Sequence, residues 1–199
     1  MYRVYGMAES GNCYKVKLLL SQLGLSFEWI ETDSTNGETR TPEFLQRNPN
    51  GKVPTLEISP GVFLPESNAI LCFLADDTPF WRGDRLERAQ VLQWLFFEQY
   101  SHEPYIAVAR YFLLFAKQPQ HPELAEKQRR GYLALSVMEQ HLSREPFFAG
   151  GRYSIADTSL YAYTHVAHEG GFDLAPYPAI RGWLERVRAE PGHVGMRDR

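Results

Sequence analysis

The chain has 199 residues, of which 44% are hydrophobic and 23% charged. That composition can close a sizeable core and excludes a disordered chain, and the length suits one large domain or two small ones. The net charge of −3 leaves no clustered excess of Lys and Arg of the kind an extended nucleic-acid footprint needs, so no nucleic-acid partner is expected.

Two cysteines, Cys13 and Cys72, cannot build a disulfide scaffold and fit a reducing compartment. Residues 1–6 lack the apolar run of a signal peptide, and uncharged stretches such as 69–75 are too short to cross a bilayer. The expectation is a soluble cytoplasmic protein with no membrane partner.

Residues 2–5 are aromatic and β-branched, end at Gly6, and read as a strand. After the polar turn 9–12, Val16, Leu19, Leu20 and Leu23 fall at helical spacing, and Gly24 stands where a C-cap glycine would. Residues 26–31 alternate as a second strand. A strand, a helix of this length and a strand predict a parallel pair with a right-handed crossover. Thr41-Pro42 reads as an N-cap followed by proline at the first helical position, opening a short helix through Leu45. Asn48-Pro49-Asn50-Gly51 is dense turn chemistry. Residues 55–58 and 62–64 flank Ser59-Pro60-Gly61 as an antiparallel hairpin, and 67–75 form a helix packed through Ile70, Leu71 and Leu74. The order is β-α-β-α-β-β-α.

Beyond 76–79 strand-like alternation stops. Residues 84–115 read as one long helix, or a pair kinked at Pro104, which lacks a backbone donor. Residues 121–142 form a second helix with Tyr132, Leu135, Met138 and Leu142 on one face. Ser154-Ile155-Ala156-Asp157 opens a third, and 177–189 form a fourth with Ile180, Trp183, Leu184 and Val187 inward. The chain therefore divides into an α/β domain at 1–77 and an all-helical domain at 84–199.

Three segments carry candidate chemistry. Ser10-Gly11-Asn12-Cys13 opens the first helix, where unpaired N–H groups and the positive dipole end stabilise anions, thiolates included. The Ser10 hydroxyl either donates to such a sulfur or caps the helix, and spacing alone favours the cap. Cys13 occupies the second position of a Cys-x-x-Cys turn whose first position is Ser10, and reads as a structural thiol. Cys72 reads as a small apolar residue. At Val53-Pro54 a cis peptide would turn the Val53 amide and carbonyl outward for an extended peptide to pair with, although trans is the commoner state. At Glu66-Ser67 a carboxylate suits an ammonium group, while the serine either caps a helix or helps cradle a carboxylate. Both features together are what a zwitterionic γ-glutamyl end would need.

The remaining signals read as structural. Ser154-x-x-Asp157 is a capping-box variant worth about 1 kcal/mol, more if buried. The six histidines are scattered without metal-ligand spacing, so no metal is expected. The run Tyr100, Tyr105, Tyr111, Phe112 and Phe115 reads first as core.

In this order the segments resemble the cytosolic glutathione transferase family, in its bacterial, serine-type form. The resemblance is carried by Ser10-Gly11-Asn12-Cys13-Tyr14-Lys15-Val16-Lys17, Thr41-Pro42-Glu43-Phe44-Leu45, Asn48-Pro49-Asn50-Gly51-Lys52-Val53-Pro54, Glu66-Ser67-Asn68-Ala69-Ile70 and Ser154-Ile155-Ala156-Asp157. It spans nearly the whole chain. It implies a thioredoxin-like α/β N-terminal domain plus an all-α C-terminal bundle, a two-fold homodimer, and glutathione as co-substrate with no further cofactor. It implies that Val53 pairs its backbone with the cysteinyl part of glutathione ahead of a cis Pro54. Glu66 and Ser67 would hold the γ-glutamyl end, Lys52 the glycyl carboxylate, and Ser10, or alternatively Asn12, the thiolate. Tyr5, at the end of the first strand, is a rival activator. Thr39 stands where many bacterial relatives carry His or Gln. The helix over 84–115 would line the dimer interface and the second-substrate pocket, with Tyr105, Tyr111 and Phe112 as lining and Glu98 reaching the partner subunit's glutathione.

The expected function follows from that resemblance. The protein would activate glutathione as thiolate for attack on small, mostly apolar electrophiles. The alternatives are a glutathione-dependent disulfide reductase or peroxidase, and a non-catalytic binding or scaffold protein on the same fold.

Overall fold

A mixed sheet in the order β2-β1-β3-β4 organises the first part of the chain. The computed structural model describes residues 1–81 and 83–198. Strand β1 (Tyr2–Gly6) pairs in parallel with β2 (Phe27–Glu31), Tyr2 opposite Phe27, as the intervening helix α1 (Gly11–Gln22) requires. Strand β3 (Thr55–Ser59) runs antiparallel to β1 with Thr55 opposite Tyr5. Strand β4 (Val62–Pro65) returns beside β3. Helix α2 (Pro42–Arg47) opens as expected, Thr41 accepting from the Phe44 amide at 3.2 Å with Pro42 in the first turn. Helices α1 and α3 (Ser67–Ala75) pack against each other. Val4, Val16, Leu19, Leu56, Ile70 and Leu71 are fully buried, each worth about 1.5–3 kcal/mol of transfer free energy.

The chain forms two compact units, and their membership corrects one expectation. Met1–Asp76 and the chain from Glu190 onward form one unit, and Asp77–Ala189 the other. The terminal segment, expected with the helical domain, lies along α1 instead. Tyr14 Oη donates to Val194 O (2.8 Å), Ser21 Oγ to Gly192 O (2.8 Å), and Lys17 Nζ to Gly195 O (3.3 Å) and Met196 O (3.2 Å). The physical reason is that α1 is buried around most of its circumference, and these side-chain donors need acceptors on its remaining face.

In the helical unit, α4 (Arg85–Phe97) begins with a full capping box formed by Asp84 and Glu87. The expected long helix continues as a π turn over Glu98–His102, α5 (Glu103–Arg110) and a second π turn over Tyr111–Phe115. Pro104 has no N–H for the ordinary i→i−4 bond, and the ladder just before it steps to i→i−5, the Glu103 amide donating to Glu98 O. Helix α6 (Leu124–Leu142), α7 (Ile155–Thr164) and α8 (Pro178–Arg188) complete the unit. Among the described residues no helix is long and apolar enough to cross a membrane.

The capping box at α7 is an interior knot. Asp157 is fully buried. Its Oδ2 accepts from the Ser154 amide (3.0 Å) and Ser154 Oγ (3.1 Å), and its Oδ1 from Trp183 Nε1 (2.9 Å) and the Phe148 amide (3.2 Å).

Candidate glutathione site

Helix α1 starts right after a tight turn. Gly6 leaves room for the Trp29 ring of β2, which a Cβ there would meet at 2.8 Å, and for Cys13 Cβ of α1, at 3.3 Å. Ser10 is the N-cap, φ −86° and ψ 123°, and its Oγ accepts from the Cys13 amide at 3.4 Å. A hydroxyl that accepts still has its hydrogen to donate, so capping and anion binding are compatible for Ser10. The Gly11 amide, at the first position of α1, has no carbonyl acceptor within the helix.

The rival groups are otherwise engaged. Tyr5 is 5% exposed and its Oη donates to Glu57 Oε2 at 3.1 Å. Burial is the main cause raising its pKa above the ordinary phenol value. Cys13 is fully buried, accepts from the Met7 amide at 3.4 Å, and is pushed up to about 12 by burial. A thiol so placed stays protonated and shielded, as expected of a structural residue. Cys72 is half-buried and raised to about 11 by the same cause.

The Val53–Pro54 peptide is cis. Strand β3 begins two residues after Val53, so Val53 stands just ahead of the paired ladder, and among the described residues no protein group takes its amide or carbonyl. Asn48 braces this segment from behind. It is buried, its Nδ2 donates to Lys52 O (2.8 Å) and Thr55 Oγ1 (3.3 Å), and its Oδ1 accepts from the Asn50 amide (3.0 Å). Gly51 sits at φ +62°, where a Cβ would come within 2.9 Å of Thr39 O, so the turn requires glycine. Lys52 is exposed, as a ligand for a terminal carboxylate must be, while Thr39 is buried at 1%. Beside them the exposed Arg40 donates from Nη1 to Asn50 O at 3.2 Å, a second cation that the spacing argument did not single out.

Strand β4 hands over to α3 through Glu66 at φ 69° and ψ 109°, outside the regions an L-residue prefers and of a kind that clusters at binding sites. The carboxylate is exposed. Glu66, not Ser67, is the N-cap residue of α3, and no side-chain cap bond is made. The capping reading of Ser67 is therefore replaced. Ser67 is 5% exposed, accepts from Lys15 Nζ at 3.3 Å, and donates to Asn12 Oδ1 at 3.3 Å. That last bond joins the start of α1 to the start of α3, bringing the expected thiolate end and γ-glutamyl end together. Lys15, fully buried and also donating to Asn68 Oδ1 at 3.4 Å, was missed as a site residue. The one available signal was its place three residues after Asn12.

The candidates in the helical unit fare differently. Glu98, expected to reach a partner subunit, is fully buried at the π turn and its Oε2 accepts from Gln99 Nε2 at 2.8 Å. Tyr105 and Phe112 share a helix face two turns apart, but α6 and its lead-in run back across that face. Tyr105 Oη accepts from Arg130 Nη1 at 2.9 Å, and Phe112 stacks on His121 at 3.6 Å between ring centroids. Tyr111 is 49% exposed and stacks on Phe115 at 6.1 Å. Tyr111 is also a ring neighbour of Phe112, at 6.2 Å between centroids. Tyr105 lines a groove of about 370 Å³ with Phe97, Tyr100, Leu133 and Val137.

A thioredoxin-type sheet with a cis proline ahead of β3, joined in one chain to a helical bundle, defines a glutathione S-transferase architecture. Residues 1–76 match the glutathione S-transferase N-terminal domain and 94–191 the C-terminal domain. The chain belongs to the glutathione S-transferase family. The crystal structure of a glutathione S-transferase from Pseudomonas fluorescens [Pf-5] is 56% identical, with a TM-score of 0.97 over 99% of both chains. The disulfide-bond oxidoreductase YfcG of Escherichia coli (strain K12) is 32% identical over 191 residues, covering 92% of this chain and 89% of YfcG. The glutathione transferase URE2P6 from Phanerochaete chrysosporium, solved in complex with oxidized glutathione, is 27% identical, with a TM-score of 0.86 over 96% of this chain and 92% of that one.

Proposed function

We propose that this protein binds glutathione along Val53, with Glu66 and the start of α3 taking the γ-glutamyl end and Lys52 the glycyl carboxylate. The thiolate, stabilised by Ser10 or Asn12 and the start of α1, attacks a small, mostly apolar electrophile. The observation that carries this reading is the Ser67–Asn12 hydrogen bond at 3.3 Å, which makes one site of two segments 55 residues apart. Stabilising the anion lowers the thiol pKa, and each unit corresponds to about 1.4 kcal/mol. The reaction joins the glutathione sulfur to the electrophilic carbon and expels the leaving group with its electron pair.

The test has two stages. Calorimetry should give saturable binding of glutathione. A nitro-activated aryl halide should then be consumed with release of halide. No heat of binding would end the proposal.

A second reading is favoured by the likeness to YfcG, named a disulfide-bond oxidoreductase. Here the bound thiolate attacks a disulfide sulfur instead of carbon. Because Cys13 is buried, the electrons for net reduction would come from two glutathione molecules. Rapid reduction of a small aliphatic disulfide with slow aryl-halide conjugation would select this reading. The cytoplasmic assignment is supported by two cysteines that form no disulfide.

The homodimer is supported by the groove around Tyr105. Tyr100 is 83% exposed, Leu133 57% and Val137 45%, a contiguous apolar face of the kind that marks an interface. Leu133→Arg combined with Val137→Asp should turn a dimer into a monomer of unchanged far-ultraviolet circular dichroism, measured by light scattering on a sizing column. A parent protein that elutes as a monomer would sink this part of the reading.

A further inference from the structure

We infer that the first compact unit binds a small, flat aromatic cation in a cavity between strand β2, helix α1 and the last residues of the chain. The inference stands apart from the glutathione reading.

Strand β2 is an edge of the sheet. Alternate residues of a strand share one face, so Phe27, Trp29 and Glu31 form a row of two aromatic rings and a carboxylate. The row lies on the α1 side, because the Trp29 ring fills the space where a Gly6 Cβ would point, beside Cys13 of α1. Lys17 of α1 and Arg197 and Asp198 of the returning segment supply more of the wall, and the enclosed space is about 430 Å³. That is within the range of small-molecule sites, ~300–1,000 Å³. All of these residues belong to the one unit formed by Met1–Asp76 and the chain from Glu190 onward. Phe27 and Trp29 are only half-buried, so ring surface remains for a flat ligand to cover.

The polar groups of the wall select the charge of the occupant. An ammonium has three protons to donate, and Lys17 Nζ donates to three carbonyls, those of Gly195, Met196 and Asp198. Arg197 is answered by Glu9, its Nε and Nη2 donating to the two carboxylate oxygens at 2.9 and 2.8 Å. Both cations are therefore already served by the protein. Glu31 differs. Its Oε1 accepts from the Ala8 amide at 3.0 Å and its Oε2 from Trp29 Nε1 at 2.8 Å, about half of what a carboxylate can accept. Glu31 is exposed, and among the described residues no cation pairs with it. Its negative charge is left for a ligand. The bond from Trp29 holds the indole beside this carboxylate. Tryptophan is the ring that attracts cations most strongly, and a charged N–H donor to a carboxylate makes a strong hydrogen bond. A ligand with an aromatic body against Phe27 and Trp29 and a protonated nitrogen at Glu31 satisfies both.

The test uses one ring system in different charge states at neutral pH: 9-aminoacridine as the cation, acridine as the neutral form and acridine-9-carboxylate as the anion. Fluorescence titration should show saturable binding of the cation, at least about tenfold tighter than of either analogue, the scale of a cation–π contact joined to a charge-assisted bond. Glu31→Gln should weaken the cation about tenfold and leave the affinity for acridine unchanged. Trp29→Leu should weaken the cation and acridine alike, because both lose the ring. If Trp29→Leu does not fold, Glu31→Gln decides alone, since that side chain is exposed. Absence of saturable binding overturns the inference, as does equal affinity across the series. A cation preference that survives Glu31→Gln places the dye elsewhere and overturns it too. Tighter binding of the carboxylate would assign the cavity to Lys17 and Arg197 and reject a cationic occupant.

Discussion

Ser10→Asp should leave the fold intact and lower kcat/KM for glutathione conjugation by about 10²-fold or more, the scale of losing one donor to a developing anion. The substitution separates the cap that Ser10 forms from the thiolate contact proposed for it. Aspartate is as good an N-cap as serine and suits the positive end of a helix, so the acceptor of the Cys13 amide is kept. What is lost is the hydrogen of the hydroxyl, and a carboxylate now faces the thiolate. The unfolding free energy should stay within about 1 kcal/mol of the parent. Ser10→Ala removes cap and donor together and should cost both stability and rate. The deciding comparison is chemical denaturation against steady-state kinetics on the same two variants. Parent-like turnover in Ser10→Asp would transfer the thiolate contact to Asn12.

Asp157→Ala should lower the unfolding free energy by about 3–5 kcal/mol, the range for breaking a buried hydrogen-bond network. The carboxylate receives four donors from three places, the Ser154 amide and hydroxyl, the Phe148 amide and the Trp183 indole. Alanine leaves all of them without an acceptor in the interior. Burial pushes the Asp157 carboxyl up to about 7 against the opposing pull of those donors. A folded pKa above the unfolded one means the native state binds the proton more tightly. The contribution of this group to stability therefore declines as pH rises from 3.8 toward about 7. Asp157→Asn should remove that slope, which urea titrations at several pH values would reveal. An unchanged slope in Asp157→Asn would mean another group titrates in that range.

Much of this fold was legible because its signals are local. The alternation in β2, the Ser59-Pro60-Gly61 turn and the Thr41-Pro42 cap each act within a few residues, and the β-α-β-α-β-β-α order follows from them. The Ser154-x-x-Asp157 box was legible as a cap, but its weight was not. Half of its donors come from Phe148 and Trp183, which no spacing rule connects to Asp157. Lys15 escaped for a related reason. Helix α1 is buried on nearly every side, so the apolar periodicity that distinguishes inward from outward positions is weak, and a lysine there reads as solvated. Ser67 was seen as a cap because serine before a helix usually is one, whereas Glu66 with its positive φ takes that position. Pro104 marked a break in the long helix, but proline chemistry does not say that the ladder will widen into a π turn rather than kink. Tyr105 and Phe112 lie on one helix face by spacing. That α6 folds back over it is a tertiary fact.

The return of the last residues to α1 has a consequence for how the chain can be divided. Topologically the helical unit is an insertion between the first 76 residues and the segment from Glu190 onward. A cut at the apparent boundary would yield a sheet fragment lacking the strand of backbone carbonyls that Tyr14, Lys17 and Ser21 reach for. Rejoining residues 1–76 and 190–199 through a short linker is the fragment design that respects this connectivity.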